Sequence, residues 1–327
     1  MTAAEGTTAL HAAIVYNPVK VDLDELRAAV AAEEARSGWG PTRWYETSED
    51  DPGARVTSHA LATGPAVVIS AGGDGTVRAV AEGLLGADTP LALLPSGTGN
   101  LLARNLGLPL NDVEASIRAA FGGASRAVDV AIAELEDAGG GRSQQVFLVM
   151  AGVGLDADMS ENTSSEAKRR IGWLAYVTPI AGSIFAHRLS RVRYRIDAGP
   201  PQSARAHTII VGNCGTLTGN MLLLPEAVID DGLLDVVMLR PKGRMGWAAI
   251  AGRLTVQGVA HRSRLGRRMI RRTPDPRGLA YAQGTRFDVE FESERSVELD
   301  GDSFGPIKRA RITIDPGALR VCVGDLA

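Results

Sequence analysis

The chain has 327 residues, about two ordinary domains in length, and its 45% hydrophobic and 22% charged residues belong to a folded globular protein, not a disordered one. Aromatic residues reach only 5% and the net charge is −3, which argues against base stacking or a chain-wide field for nucleic acid. Cys214 and Cys322 form no CxxC pair, so neither a disulfide framework nor a thiolate metal centre is expected, and a reducing compartment is.

The opening Met1–Gly6 has neither the basic start nor the apolar core of a signal peptide. Nor does any run of about 18 uncharged apolar residues follow. The expectation is a cytoplasmic protein with no membrane span. Ala12–Tyr16 is a short apolar run ending at Asn17-Pro18 and reads as a first buried strand with its turn. Residues 22–36 place Leu23, Leu26, Ala29 and Val30 at helical spacing. Arg43–Thr47 reads as a second strand, and Ala54–Thr63 as a helix stopped by Gly64-Pro65. Ala66–Ser70 is a third strand, entering Ala71-Gly72-Gly73-Asp74-Gly75-Thr76. A helix over Val77–Leu85 is expected next, capped by Thr76 or Asp74. Leu91–Leu94 is a fourth strand, running into Pro95-Ser96-Gly97-Thr98-Gly99-Asn100 and a helix to Leu106. Apolar strands alternating with helices are the pattern of a doubly wound, mostly parallel sheet.

Near residue 129 the pattern changes. Segments 144–151, 191–197, 206–212, 233–239, 286–291, 296–300 and 311–315 read as strands joined by short turns. Helical insertions are expected near 166–189 and 244–270. The expected organisation is a nucleotide-binding α/β domain over 1–128, completed by 312–327, and a mostly antiparallel β-rich substrate domain over 129–311.

Two strand–turn–helix junctions carry the chemistry. Gly72-Gly73-Asp74-Gly75-Thr76 and Gly97-Thr98-Gly99-Asn100 strip side chains from the backbone at the ends of strands, where the next helix turns free N–H groups toward an anion. Neither is a Walker A loop or a GxGxxG fingerprint. A single such turn is often only a tight bend; two at successive strand ends point to a polyphosphate.

At this point the chain resembles the diacylglycerol kinase catalytic domain family, which includes bacterial lipid kinases and the sphingosine and ceramide kinases. The resemblance rests on Gly72–Thr76, on Pro95–Arg104, and, in the family's order, on Asn17-Pro18, Gly152–Ala157, Asp231–Asp235 and Asp300-Gly301-Asp302. It implies a Rossmann-like, NAD-kinase-like first domain followed by a β-sandwich-type second domain. It implies ATP held by Asn17, Thr47, Gly72, Gly73, Asp74, Gly75, Thr76, Val77, Arg78 and Thr98, with Arg104 meeting phosphate or an acidic partner. Asp129 falls where the family has an acidic residue near the active site. Asp302 stands where the family has a catalytic Glu, and Asp231 with the carbonyls of Val228 and Leu233 matches a structural Mg²⁺ site. Leu101 stands where many members carry Asp, and the glycines before the metal loop are thinned to Gly215 and Gly219, with Asn220.

The implied reaction is transfer of the γ-phosphoryl group of ATP to the hydroxyl of diacylglycerol or a related lipid alcohol. It requires positioning, charge neutralisation and removal of the hydroxyl proton. Mg²⁺, Arg104 and Lys20 would offset charge. Asp302, after a turn glycine in a loop expected to face the cleft, is the first choice of general base and Asp74 the second; an ordinary Asp-Gly-Asp hairpin tip is the bland alternative for Asp302. Asp156 and Asp158 read as solvated loop acids. A kinase of NAD, sharing the first glycine turn, and a non-catalytic nucleotide- or lipid-binding protein on the same fold are the competing functions.

Residues 240–274 hold ten basic and no acidic residues around an apolar face that includes Trp247 and Ile250, and Lys168-Arg169-Arg170 precede a second apolar stretch. Either would suit peripheral contact with the inner face of a membrane, although a core helix with a solvated basic face has the same pattern. No nucleic-acid partner is expected. An exposed sheet edge would support a homodimer.

Overall fold

The computed structural model describes residues 9–154, 189–216, 222–241, 246, 250 and 278–324. The chain divides into two compact units, Met1–Val128 with Ala318–Ala327, and Asp129–Gly317.

The first unit is built from β1 (Ala12–Tyr16), α1 (Leu23–Ser37), β2 (Arg43–Glu46), α2 (Ala54–Leu61), β3 (Val67–Gly72), α3 (Asp74–Leu84), β4 (Leu91–Pro95), α4 (Leu101–Asn105) and α5 (Val113–Phe121). Strands β2, β1, β3 and β4 lie side by side in that order, all parallel, with Ile14 opposite Ile69 and Ser70 opposite Leu93. Because β1 and β3 are covered on both faces, every residue in them is buried, which is why they are uninterrupted apolar runs. The edge strand β2 has no buried residue. Its Trp44 meets Tyr16 edge-on, with ring centroids 6.1 Å apart, and lies under the Arg27 guanidinium. Helix α1 begins at Asp22, whose carboxylate accepts the N–H groups of Asp24 and Glu25, and ends at Gly38 with φ +70°. Its buried Leu26 and Val30 pack with Ile117 and Phe121 of α5 on Ile14 and Ile69.

The second unit contains β5 (Ser125–Glu136, which enters it from the first), β6 (Arg142–Phe147), β7 (Met150–Val153), β8 (Ser190–Ile196), β9 (Gln202–Ala206), β10 (Thr208–Gly212), β11 (Leu234–Leu239), β12 (Leu279–Gly284), β13 (Arg286–Leu299) and β14 (Asp302–Cys322, which leaves it). The pairings β12–β11–β10–β7–β13 are all antiparallel. Strand β13 pairs with β8 over Phe287–Phe291 and with β7 over Val297–Leu299, and a register shift lies between Glu290 and Arg295. One strand thus supplies both layers of a β-sandwich, whose core includes Phe147, Val211, Val236, Phe287, Phe291, Val297 and Leu299.

Four expectations change. The helix after the first glycine turn starts at Asp74, not Val77, and its N-cap is Gly73, not Thr76 or Asp74. The strand expected over 144–151 is broken into β6 and β7, because the N–H groups of Leu148, Val149 and Met150 turn to the carboxylate of Asp300. The two strands expected over 286–291 and 296–300 are one, its charged middle Glu292-Ser293-Glu294 having read as a break. Strand 311–315 is the centre of β14, which runs on to Cys322 and pairs Val321 with Leu91. Strands β5, β9 and β12 and helix α5 add to the expected set. The expected helical insertions, Asp156, Asp158, the Lys168–Arg170 cluster, Gly219, Asn220 and almost all of the 240–274 basic stretch lie outside the described residues; within that stretch Ile250 is helical and buried.

Candidate functional site

The strand order 2-1-3-4 reverses between β1 and β3, the place where open parallel sheets bind ligands at their carboxyl edge. Asn17 follows β1, Thr47 follows β2, Gly72 closes β3 and Pro95 closes β4, so the expected nucleotide residues gather along this edge of the first unit. The Asn17 N–H donates to the Ala71 carbonyl at 2.9 Å across the switch point, and the Thr47 N–H donates to the Tyr16 carbonyl at 2.9 Å. The Asn17 side chain accepts the Val19 N–H at 3.1 Å, shaping the turn that carries exposed Lys20. Thr47 is buried.

The two glycine turns are locked together. One oxygen of the Asp74 carboxylate accepts the Asn100 N–H at 2.9 Å and the other accepts the Leu101 N–H at 2.6 Å. A Cβ on Gly97 would stand 2.7 Å from Cα of Gly73, and one on Gly99 would collide with the Asp74 carboxylate. A Cβ on Gly72 would meet the Thr76 side chain at 2.7 Å. The Ser96 N–H completes the join, donating to the Gly72 carbonyl at 3.1 Å.

This lock divides the labour between the turns. At α4 the anion position is taken by the protein's own Asp74, so Leu101 contributes through its backbone while its side chain is buried. At α3 the N-cap is Gly73, which brings no side chain to the first turn, so the positive dipole end of the helix stands behind bare backbone. Thr76, Val77 and Arg78 are buried in that helix, and Arg78 lies 3.8 Å from Glu82. Thr98 is exposed at the tip of the second turn. Arg104 is exposed and held by its Nε, which donates to the Gly99 carbonyl at 2.7 Å. Asn100, the amide that ends the second glycine turn, lies in the left-handed region at φ +49°. Its side chain accepts the Gly97 N–H at 3.0 Å and donates to the Gly97 carbonyl at 2.8 Å, holding the turn shut.

In the second unit, Asp300 and Gly301, with φ +48° and +94°, make the two-residue turn between β13 and β14, and Asp302 pairs with Leu299 across it. Asp302 is therefore at a hairpin tip, as the bland reading has it, but this tip is anchored. The buried Asp300 carboxylate accepts the N–H groups of Leu148, Val149 and Met150 at 2.8–2.9 Å. Its own N–H donates to the Met150 carbonyl.

Asp129 is buried in β5 and accepts the N–H groups of Gly232 and Gly317, both at 2.7 Å. It thereby fixes the loop of Asp231, whose carboxylate accepts the Leu233 N–H at 3.0 Å. Fully buried Asn213 donates to the carbonyls of Asp129 and Leu148, joining the Asp231 and Asp300 loops; nothing in its sequence neighbourhood marks it.

Burial, then the charges of Asp129 and Asp230, push the Asp231 carboxyl above the usual carboxylate range. Burial, outweighing a hydrogen bond from Gln283, and then the charges of Asp231 and Glu226 push buried Asp235 to about 6. Its Oδ2 is buried with no hydrogen-bond partner. Crowded carboxylates with a spare buried oxygen suit a hard divalent cation. Among the described residues no group of three or more His, Cys, Asp or Glu forms a complete cage by itself, so backbone oxygens would have to contribute. Val228 is exposed on this loop and Leu233 half-buried. No helix among the described residues is long and apolar enough to cross a membrane.

Residues 11–133 match the diacylglycerol kinase catalytic domain and residues 149–264 the YegS C-terminal NAD kinase beta sandwich-like domain. A protein of Pseudomonas fluorescens Pf-5 named "Probable lipid kinase YegS-like" is 34% identical over 304 residues, covering 91% of this chain and 90% of its own. Its namesake in Pseudomonas aeruginosa UCBPP-PA14 is 31% identical over 304 residues, covering 91% and 89%. Among solved structures, a diacylglycerol kinase of Bacillus anthracis Sterne superposes with a TM-score of 0.71 at 24% identity over 97% of both chains. Yeast NADH kinase bound to NADH gives 0.52 at 8% identity, covering 94% of this chain and 79% of its own. These two structures establish the fold.

Proposed function

The chain belongs to the YegS-like lipid kinases with a diacylglycerol kinase catalytic domain, and from that membership we propose that it transfers the γ-phosphoryl group of ATP to the hydroxyl of diacylglycerol or a related lipid alcohol. The observation that carries the nucleotide part is the lock made by Asp74. By filling the N-terminus of α4 it holds a second bare turn beside the N-terminus of α3, whose N-cap is Gly73, and a helix start behind glycines suits a phosphate.

In this reading Gly72 through Arg78 grip the triphosphate, Asn17, Thr47 and Thr98 orient the nucleotide, and Arg104 with Lys20 offsets charge on the transferring group. The lipid oxygen forms its bond to the γ-phosphorus as the bond to the β-phosphate oxygen breaks and ADP leaves. Asp302 takes the hydroxyl proton as general base. Asp74, with both oxygens accepting N–H bonds, is the positioning residue. Asp231 with the carbonyls of Val228 and Leu233 would hold Mg²⁺. There the ion would supply charge neutralisation among these carboxylates, and Mg²⁺ accompanying ATP would supply it on the phosphates. The 240–274 and 168–170 basic segments remain candidates for peripheral membrane contact.

Incubating the protein with labelled ATP, Mg²⁺ and a panel of lipid alcohols, with products identified by mass spectrometry, tests the reading. A lipid phosphate is expected. Absence of transfer to any lipid together with absence of ATP hydrolysis overturns it, and NADP formation in the same assay would replace it.

A further inference from the structure

The outward face of the second unit's sheet is a ladder of opposite charges, and it does not close. Across β5, β14 and β13, Glu136 pairs with Arg142 and Arg309, and Glu290 with Arg309. Glu134 pairs with Arg311, while Asp288 is shared by Arg195, Arg286 and Arg311. Every carboxylate of the ladder is therefore taken. A cavity of about 680 Å³ lies over these pairs, lined by the four carboxylates and by five arginines, Arg193 among them.

At the edge of the ladder, the hairpin β8–β9 carries Arg191, Arg193 and Arg205, all exposed, and none makes an ion pair among the described residues. Arg193 stands opposite Glu290 in the register of β8 and β13, but that carboxylate is bonded to Arg309. Arg191 stands directly opposite Arg205 in the strand register, and Arg193 lies two residues along on the same face. Like charges directly opposite across a strand pair destabilise it. The one acidic residue between 190 and 206, Asp197, is spent on the N–H groups of Thr285 and Arg286 at the far end of β8. A chain of net charge −3 thus keeps three exposed arginines outside its ion pairs on one sheet face.

We propose that this β8–β9 face docks on an anionic phospholipid bilayer. A sheet face is broad and flat, as a bilayer surface is, and guanidinium groups take phosphodiester oxygens two at a time. With a net negative chain, attraction to an anionic leaflet has to come from a local basic face. The proposal rests on the lipid-kinase reading, because a lipid acceptor has to be met at a membrane.

The test is co-sedimentation of the full chain with phosphatidylcholine vesicles with and without phosphatidylglycerol. It compares the wild type with the combined Arg191→Gln, Arg193→Gln, Arg205→Gln variant. The wild type is expected to pellet with the phosphatidylglycerol vesicles and to be released by salt. The variant should bind about a hundredfold more weakly, at about a kcal/mol per arginine, and should melt no lower than the wild type because the like-charge pair is gone. Phosphorylation of a short-chain acceptor in detergent should be equal for both. Equal vesicle binding by the variant overturns the proposal, as does wild-type binding that ignores phosphatidylglycerol. So does stabilisation by inorganic phosphate alone, lost in the variant, which would make the strip a site for soluble anions. If neither protein phosphorylates the detergent-dispersed acceptor, the kinase reading fails while the vesicle result still decides the docking face.

Discussion

The backbone N–H of Leu101 donates to the carboxylate of Asp74 at 2.6 Å, across 27 positions of sequence. With the neighbouring bond from Asn100, it makes the first glycine turn the cap of the helix that follows the second. Asp74→Ala removes both acceptors and should cost about 3 kcal/mol of stability, because hydrogen bonds to a charged group contribute about 1.5–3 kcal/mol each. Asp74→Asn keeps one acceptor and should fall between. Both should weaken ATP binding tenfold or more, read by calorimetry. Unchanged affinity would separate the lock from the nucleotide.

Asp300 and Asp302 are neighbours with opposite expected phenotypes. Asp300→Ala orphans the buried N–H groups of Leu148, Val149 and Met150 and should cost about 3–5 kcal/mol in denaturant unfolding. Asp302→Asn should leave stability within about 1 kcal/mol while cutting kcat by about 10²- to 10⁴-fold. If Asp302→Asn retains full turnover, the base is elsewhere.

Asp288 governs an acid-range transition. Burial raises its carboxyl pKa, but hydrogen bonds from Arg286 and Arg311 outweigh burial and hold it below the ordinary value. A depressed carboxyl contributes stability that is fully present above its unfolded value of about 4 and is lost as pH falls through the lower native value. The melting temperature of Asp288→Asn should therefore lie below that of the wild type at neutral pH, and the gap should narrow as the solution is acidified past pH 4. A gap that widens on acidification would contradict the assignment.

Magnesium should raise the melting temperature of the wild type without nucleotide, since a ligand that binds only the folded state at 100 times its Kd adds about 2.7 kcal/mol. Asp231→Asn should lose most of that gain. The variant alone should melt no lower than the metal-free wild type, because it removes the burial cost of the charge and the repulsion from Asp129 and Asp230 that together raise the Asp231 carboxyl.

The parallel half of the fold was legible because β1 and β3 are buried on both faces, and such strands are unbroken apolar runs. The antiparallel half was less so. A continuous β13 has a charged middle, and the run over 144–151 is interrupted by a carboxylate from 150 residues away. Pattern reading sees neighbours in sequence, and the bond that breaks this strand comes from outside its window.

Amino-acid order alone determined that two bare turns follow buried strands, that few aromatic residues and no thiolate pair are present, and that the chain carries the family's motifs in order. Only the tertiary structure decided that Asp74 accepts from Asn100 and Leu101, with side-chain-free Gly73 at the start of α3. It also decided that Asn213 and Asp129 tie together loops far apart in sequence, and that three arginines of β8–β9 are left over when the ladder's carboxylates are shared out. Spacing along the chain states which groups exist. Hydrogen bonds and ion pairs saturate, so which groups remain available depends on who their neighbours are in space.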